Sequence, residues 1–309
     1  MNKFYIIANE QKDKKLKLTK QLQAFLLSHG KACSYGVNRE SNLNNIPKDT
    51  ECILVLGGDG TLIRAARDMV GKNIPLIGVN MGHVGYLCEL ESSTVETALE
   101  HLWEDNYMIE NRMMLNGYCI QNEGRSKDHL ALNDIVIYRS GLLQIVNLII
   151  YVNGEYLNTY SADGIIIATP TGSTAYNMSA GGPIVDPKAN LILITPISPH
   201  SFNAKSIVLS AEDEIIVEIG SRRMEQGPQN EQKPMELRFA EQKSTEEFAE
   251  EEFAEQKFTT EVSFDGNQPE RLAVGDKIVI KRAKANTQIL KLSKLSFLDI
   301  LRKKMQGYT

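Results

Sequence analysis

A glycine-rich turn with a carboxylate at its centre is the first feature that could do chemistry. Gly57, Gly58, Asp59, Gly60 and Thr61 follow the apolar stretch CILVL and precede a helical pattern. Glycines at a strand-to-helix turn let backbone N–H groups approach a phosphate, which the helix N-terminus also favours. A carboxylate beside phosphates is repulsive unless it holds a metal ion or accepts a proton. The pattern therefore indicates phosphoryl transfer with Asp59 as the proton acceptor; the alternative is an aspartate that only caps the helix.

A second candidate site is the loop of small residues in the stretch DGIIIATPTGSTAYNMSAGGP, residues 163–183. A buried strand over 165–168 leads into this loop. Small residues allow a ribose-bearing ligand to lie close to the backbone, and their hydroxyls can donate hydrogen bonds to it. The ring of Tyr176 could stack on a nucleobase. The alternative is a tight structural turn with a tyrosine in the core.

These two stretches resemble those of a known family. The GGDGT string is the signature of a superfamily that includes NAD kinases and the diacylglycerol and sphingosine lipid kinases. The second stretch closely resembles the NAD kinase motif TPTGSTAYxxSAGGP. The resemblance runs from about residue 1 to 220 and again from 261 to 300. Four further segments are similar to family positions: 78–87, Asn133-Asp134, 198–201 and Asp265-Gly266.

The resemblance implies a reaction and a set of substrates. ATP, or inorganic polyphosphate in some relatives, would phosphorylate the 2′-hydroxyl of the adenosine ribose of NAD. Mg²⁺ is expected as the cofactor, because the nucleotide phosphates need charge neutralisation, and no protein side chain is assigned to it. A homodimer or homotetramer is expected by analogy. The alternatives are a lipid kinase of the same superfamily and a non-catalytic protein that senses NAD(H).

The resemblance also implies roles for individual residues. Asp59 is the expected catalytic base. Asn133 and Asp134 are expected to contact ribose, and Asp163 to face the ribose on the nicotinamide side. The phosphate turn consists of Gly57, Gly58, Gly60 and Thr61. The complete set of expected NAD-binding residues is Asp59, Gly60, Arg64, Asn133, Asp134, Ser161, Asp163, Thr174, Ala175, Tyr176, Asn177, Ser179 and Asn267.

The chain departs from the family pattern at two of these positions. Asp134 stands where most bacterial relatives have glutamate, so its carboxylate has a shorter reach. Ser161 occupies a position that is often basic in the family. Arg64, one helical turn after Asp59, could meet a phosphate or could be a solvated helix arginine.

The elements that must position these residues fall into two halves. Strand and helix signals alternate over residues 1–107, with a helix expected from Ser93 to Trp103, and this alternation predicts a Rossmann-like parallel α/β domain. Strand patterns dominate residues 108–294, including 130–138 and 288–292, and predict a β-sandwich-like domain. Asn153-Gly154 predicts a type I′ hairpin turn. The C-terminal tail, 295–309, is expected to be helical and to pack on the first domain.

The composition narrows the class of protein. The 34 Lys and Arg against 39 Asp and Glu give a net charge of −5, whereas a nucleic-acid-binding protein normally has a basic excess. No apolar stretch approaches the roughly 18 residues of a transmembrane helix. The four cysteines are scattered without a CxxC pair, which is typical of reduced core residues. We therefore expect a cytoplasmic protein that binds small nucleotides but neither nucleic acid nor membrane.

A glutamate-rich stretch, residues 223–260, fits neither half. Residues 231–257 contain nine acidic and four basic residues, so 4 − 9 gives a charge of −5, and the sequence FAEQK occurs twice in them. The stretch is expected to be a solvated insertion, partly helical or disordered. The alternative is an oligomer contact made by its phenylalanines.

Overall fold

The computed structural model describes residues 1–37, 45–82, 85–141, 145–201, 203–221, 260–292 and 296–306. Its strands are β1 (Lys3–Ala8), β2 (Ala32–Val37), β3 (Cys52–Gly57), β4 (Leu76–Asn80), β5 (Leu90–Glu91), β6 (Met108–Arg112), β7 (Leu115–Gln121), β8 (Gly124–Arg125), β9 (His129–Ala131), β10 (Asp134–Arg139), β11 (Val146–Val152), β12 (Glu155–Ala162), β13 (Gly164–Ala168), β14 (Leu191–Ile197), β15 (Ile207–Ser210), β16 (Ile215–Gly220), β17 (Thr260–Phe264), β18 (Glu270–Leu272), β19 (Lys277–Arg282) and β20 (Thr287–Lys291). Its α-helices are α1 (Lys17–Ser28), α2 (Asp59–Asp68), α3 (Val95–Trp103), α4 (Tyr176–Ser179) and α5 (Phe297–Gln306).

The first sheet confirms the predicted parallel α/β architecture. Its strand order is β2-β1-β3-β4-β20-β6, with β5 beside β4, and its pairs are parallel except β6 with β20. Alternate residues of β1 face opposite sides: Phe4 and Ile6 pack with α1 and α3, whereas Tyr5 and Ile7 pack with α2. Strands covered on both faces must be apolar throughout, which explains the continuous runs in β3 and β4. Helix α3 begins at Val95 with Thr94 as its N-cap, two residues later than the start predicted at Ser93.

The boundary of the first domain differs from the prediction. Both β6 and β20 lie in the first sheet, although the pattern placed 108–112 and 288–292 in the β-rich half. Ile289 pairs with Leu76, deep within the parallel sheet. Period-2 patterning identifies a strand but contains no information on which sheet it joins.

The second half consists of two antiparallel sheets, as the β-sandwich prediction expected. Their orders are β15-β14-β13-β10-β17-β18 and β12-β11-β16-β19-β7-β8, with β9 beside β7. Isoleucine, leucine and valine side chains from both sheets form one apolar core between them. Asn153 and Gly154 join β11 to β12 with φ of 52° and 83°, the left-handed values that a type I′ turn requires.

The strand predicted over 130–138 is two strands in two sheets. Strand β9 pairs with β7 in one sheet and β10 begins at Asp134 in the other, with Leu132 and Asn133 between them. At this break the backbone N–H groups of Leu132 and Asn133 bind the side chain of Asp265 instead of a neighbouring strand.

Two predictions lie wholly or partly beyond what the structure describes. The glutamate-rich stretch falls outside it, because residues 222–259 are not described. Helix α5 confirms that the C-terminal tail is helical, while its packing on the first domain stays a prediction. Among the described residues, no helix is long and apolar enough to cross a membrane.

Candidate active site

The Asp59 carboxylate is held by a neighbouring loop. Asp59 is the first residue of α2, and Gly58, in an extended conformation, is the N-cap. The carboxylate accepts hydrogen bonds from the backbone N–H groups of Tyr86 (2.6 Å), Leu87 (3.3 Å) and Cys88 (3.0 Å). Asp59 therefore does not cap its own helix. These bonds fix the orientation of the carboxylate at the carboxyl end of the parallel sheet.

The glycine turn is tight for a steric reason. A Cβ atom on Gly57 would lie 2.4 Å from Oγ1 of Thr61, and one on Gly58 would lie 2.7 Å from Nζ of Lys12. The Lys12 ammonium thus lies beside the turn. Thr61 is buried, and its Oγ1 accepts a hydrogen bond from Asn9 at 3.2 Å. The predicted phosphate turn is therefore a strand-to-helix junction with a cation beside it.

The Asn133-Asp134 pair is held in place by two loops. Asp265 accepts backbone N–H hydrogen bonds from Leu132 (2.7 Å), Asn133 (2.8 Å) and Asp134 (3.1 Å). On the carbonyl side, Thr169 donates from Oγ1 to Leu132 (2.6 Å) and from its N–H to Asn133 (2.8 Å). Leu132 and Asn133 are thus held on both sides by a side chain and a loop, outside any strand ladder, and Asp134 begins β10.

Two hydroxyls of the small-residue loop form hydrogen bonds with the backbone of the protein itself. Besides its bond to Leu132, Thr169 Oγ1 accepts the N–H of Gly172 at 3.1 Å. Ser173 Oγ donates to the carbonyl of Val185 and accepts its N–H. The hydroxyls of Thr169 and Ser173 therefore satisfy backbone groups, as a buried loop requires, and ligand contacts by Thr174 and Ser179 stay a prediction.

A cavity of about 810 Å³ lies beside this segment, within the usual size of a ligand pocket. Ile63 of α2 contributes to its wall, so the helix that begins at Asp59 reaches it. Asn133 contributes an Oδ1 atom that is buried and has no hydrogen-bond partner in the described part of the chain. The lining residues are Ile63, Asn133, Asp134, Val136, Tyr138, Arg139, Gly141, Asp163, Ala175, Tyr176, Ile197, Ser263, Asp265, Gly266 and Asn267.

Two buried carboxylates, those of Asp134 and Asp265, lie near one end of the cavity. Burial, and then the charge of Asp265, raise the pKa of Asp134 to about 7. Burial also raises the pKa of Asp265, against the opposing effects of its three N–H donors and of Arg67. Asp134 therefore changes its charge within the physiological pH range, which is unusual for an aspartate.

An ion pair lies at the other end of β10. Arg139 donates from Nε to Asp163 at 2.8 Å and from Nη1 to the carbonyl of Gly141 at 2.6 Å. Arg139 is the single cationic residue among those lining the cavity. It places a positive charge beside Asp163 in the cavity wall.

The structure brings only some of the predicted residues to the cavity. Asn133, Asp134, Asp163, Ala175, Tyr176 and Asn267 line it. Ser161 instead donates to Asn147 on the neighbouring strand at 2.7 Å. Asn177 is fully buried and bonds Ser173, Pro183 and Thr195, so its amide holds the loop closed. The other predicted contacts that are not among the lining residues are Asp59, Gly60, Arg64, Thr174 and Ser179.

Two residues that the sequence analysis did not select take part in the site. Arg67, on the last turn of α2, donates to the carbonyl of Phe264 (2.8 Å) and to Oδ1 of Asn267 (2.9 Å). Arg139 lies in the cavity wall. The motif Asp265-Gly266 was noted only as a match, and its function of binding the 132–134 backbone was not foreseen. Within the described residues, no group of three or more His, Cys, Asp or Glu is placed to hold a metal ion.

The fold and site together define a nucleotide-binding protein in which an α/β domain with a glycine-rich turn adjoins a β-sandwich. Comparisons with known proteins make the assignment specific. Residues 38–107 match the model of the ATP-NAD kinase N-terminal domain, and residues 132–228 match that of the C-terminal domain. NAD kinase of Agathobacter rectalis is 48% identical over 100% of both chains. The chain belongs to the NAD kinase family.

Two solved structures share the fold. Yeast NADH kinase in complex with NADH superposes with a TM-score of 0.74 at 22% identity, covering 100% of this chain and 88% of that one. An NAD kinase from Archaeoglobus fulgidus in complex with ATP superposes with a TM-score of 0.70 at 21% identity, covering 98% of this chain and 99% of that one. Both likenesses confirm the predicted combination of an α/β and an all-β domain.

Proposed function

We propose that this chain transfers the γ-phosphoryl group of ATP to the 2′-hydroxyl of the adenosine ribose of NAD, forming NADP. The main support for this reaction is the 132–134 segment, which presents the Asn133 Oδ1, without a partner among the described residues, and the Asp134 carboxylate at a cavity of about 810 Å³. An ionised carboxylate accepts hydrogen bonds from vicinal ribose hydroxyls, as in other dinucleotide sites. The membership of the NAD kinase family and the 48% identical relative of that name support the same reaction.

Asp59 is the proposed proton acceptor for the attacking hydroxyl. Its carboxylate lies at the start of α2, where the helix N-terminus favours phosphate. Three N–H groups of the 86–88 segment hold it in one orientation, which positions a base before the substrate arrives. The Lys12 ammonium beside Gly58 would offset the negative charge of a phosphate at the turn.

Mg²⁺ belongs to the proposal as the partner of ATP. The ion neutralises charge on the nucleotide phosphates during phosphoryl transfer. Such an ion commonly keeps several waters and uses one or two carboxylates besides the phosphates. No residue is assigned as its ligand.

The remaining expectations also stay proposals. We place the protein in the cytoplasm, which its four unpaired cysteines support. A homodimer or homotetramer, the use of polyphosphate and binding of ligand at Thr174, Asn177 and Ser179 rest on the resemblance alone.

One assay separates the candidate functions. Purified protein is incubated with NAD or NADH, ATP or polyphosphate, with and without Mg²⁺, and NADP or NADPH is quantified. We expect NADP from NAD, ATP and Mg²⁺. NAD binding without any phosphorylated product would favour a sensing protein, and product from diacylglycerol in a parallel reaction would favour a lipid kinase.

A further inference from the structure

The Asp265 side chain makes an unusual set of contacts for a turn residue. Its carboxylate accepts three consecutive backbone N–H groups, those of Leu132, Asn133 and Asp134. The backbone N–H of Asp265 returns a bond to the Asp134 carbonyl at 3.0 Å. Asp265 has a φ of 50°, a left-handed conformation that costs free energy in residues with a side chain. This conformation points the carboxylate at the 132–134 segment.

The same turn is joined to the first domain. Arg67 donates to the Phe264 carbonyl immediately before Asp265, and to the Asn267 side chain two residues after it. Arg67 lies on α2, whose first residue is Asp59. A helix of ten residues is about 15 Å long, so a continuous rigid path runs from Asp59 to the 132–134 segment.

We propose that Asp265 is a positioning residue for NAD phosphorylation, which holds Asn133 and Asp134 at the cavity and, through Arg67, fixes them relative to the helix that begins at Asp59. The inference rests on the proposed function. It adds a connection between the two domains. Asp134, which is proposed to contact the ribose, and Asp59, which is proposed to accept its proton, are held in a fixed relation through the turn at Asp265. The two domains carry these groups separately, so their relative placement needs such a bridge.

The charge of Asp265 provides a second effect that a structural role alone would not have. Its carboxylate is one of the two causes that raise the pKa of Asp134 to about 7, the larger being burial. Among the described residues, Asp265 is the charged group that shifts the pKa of Asp134. Strand β13 places Ala168 opposite it, and α2 contributes Arg67, which acts on Asp265. The Arg139–Asp163 pair lies five residues further along β10, about 17 Å away.

The test is the pH dependence of kcat/KM for NAD in Asp265→Asn. If Asp134 acts in its ionised form, activity falls as pH decreases through about 7 in the wild type. The amide removes a negative charge beside Asp134, which lowers its pKa, so the acid limb moves to lower pH. At pH 8 we expect kcat/KM to fall about 10- to 100-fold, because the 132–134 segment loses one of its acceptors and shifts.

Asp276→Asn is the matched control. Asp276 is a buried aspartate in the same half of the chain, accepts the Ala273 N–H at 2.8 Å and does not line the cavity. We expect it to lower Tm but to leave the acid limb and the KM for NAD at wild-type values. If Asp265→Asn behaves like this control, with the acid limb unmoved, the positioning role is refuted.

A second variant keeps the test decisive if Asp265→Asn does not fold. Arg67→Lys retains the charge on α2 but cannot donate to Phe264 and Asn267 in the same fork geometry. We expect a lower kcat and a higher KM for NAD with an unmoved acid limb, and wild-type kinetics would overturn the link. If the wild type forms no NADP, the proposed function fails by itself. The positioning of the 132–134 segment can then still be tested by the rise in Tm that NAD causes. We expect this rise to be smaller in either variant than in the wild type.

Discussion

Gly172 offers the sharpest steric test of the site. A Cβ atom at this position would lie 2.1 Å from the carbonyl oxygen of Asn133 and 2.5 Å from its carbonyl carbon. Ordinary contact begins at 3.4 Å, so the two backbones must separate by 3.4 − 2.1, which is about 1.3 Å. Both partners are backbone atoms and cannot rotate away. In Gly172→Ala the separation must therefore move Asn133, and with it Asp134, out of position.

The size of the effect follows from that displacement. A misplacement of about 1 Å costs about 100-fold in rate, equivalent to about 2.7 kcal/mol of transition-state free energy. Overpacking should lower the free energy of unfolding by about 1–3 kcal/mol, so the variant is expected to fold. We expect kcat/KM for NAD to fall about 100-fold, measured as NADP formed from NAD and ATP with Mg²⁺.

Gly220→Ala is the control for a glycine elsewhere in the fold. Its Cβ would meet Asn147 at 3.1 Å or more, at the end of β16, where a shift of a few tenths of an ångström suffices. This variant should stay within about twofold of wild-type activity, the range that about 0.5 kcal/mol spans. If Gly172→Ala is as active as Gly220→Ala, the position of the 132–134 segment does not govern catalysis and the assigned site is wrong.

Three further changes test other parts of the proposal. Asp59→Asn should lower kcat by about 100- to 10,000-fold while the rise in Tm caused by NAD persists, and turnover within about tenfold of wild type would contradict its role as base. Tyr176 is 47% exposed and lines the cavity, so its ring is free to stack on a base. Tyr176→Ala should therefore raise the KM for NAD about 5- to 100-fold and the KM for ATP much less. Equal effects on both KM values would argue against stacking. Deletion of residues 231–257 should leave activity and the number of subunits per particle unchanged, and fewer subunits, read from the mass in solution after correction for the deleted residues, would favour the oligomer contact instead.

Local signals in the sequence predicted the architecture well. The alternation of strands and helices before residue 107 identified the parallel sheet, because buried strands between two helical layers must be apolar on both faces. Asn153-Gly154 identified its hairpin, because few residue pairs adopt two left-handed conformations in succession. The glycines of the phosphate turn located the junction of β3 and α2, where a Cβ atom on Gly57 would meet the side chain of Thr61.

What the sequence could not provide was the set of contacts between distant segments. Asp265 and Arg67 act on residues more than 100 positions away, and no local pattern encodes that pairing. Thr169 belongs to the loop whose hydroxyls the sequence predicts as donors to a ligand, but its hydroxyl instead donates to the Leu132 carbonyl. The recognised motifs therefore identified the segments of the site, whereas their mutual geometry depends on the tertiary fold.

The position of β20 has a consequence for synthesis of the chain. Thr287, which begins this strand, donates to the carbonyl of Ala66 on α2, 221 residues earlier in the sequence. The β-sandwich is thus an insertion within the first domain, entered after β6 and left before β20. The ribosome must translate the whole sandwich before the parallel sheet can gain the strand between β4 and β6. Until then, the parallel sheet that carries the glycine turn has an open edge. Closing this edge requires β20 to pair with strands very distant in the sequence, and contacts of such long range form slowly in folding. The first domain, which carries the glycine turn, is therefore the first to be made and the last to be completed.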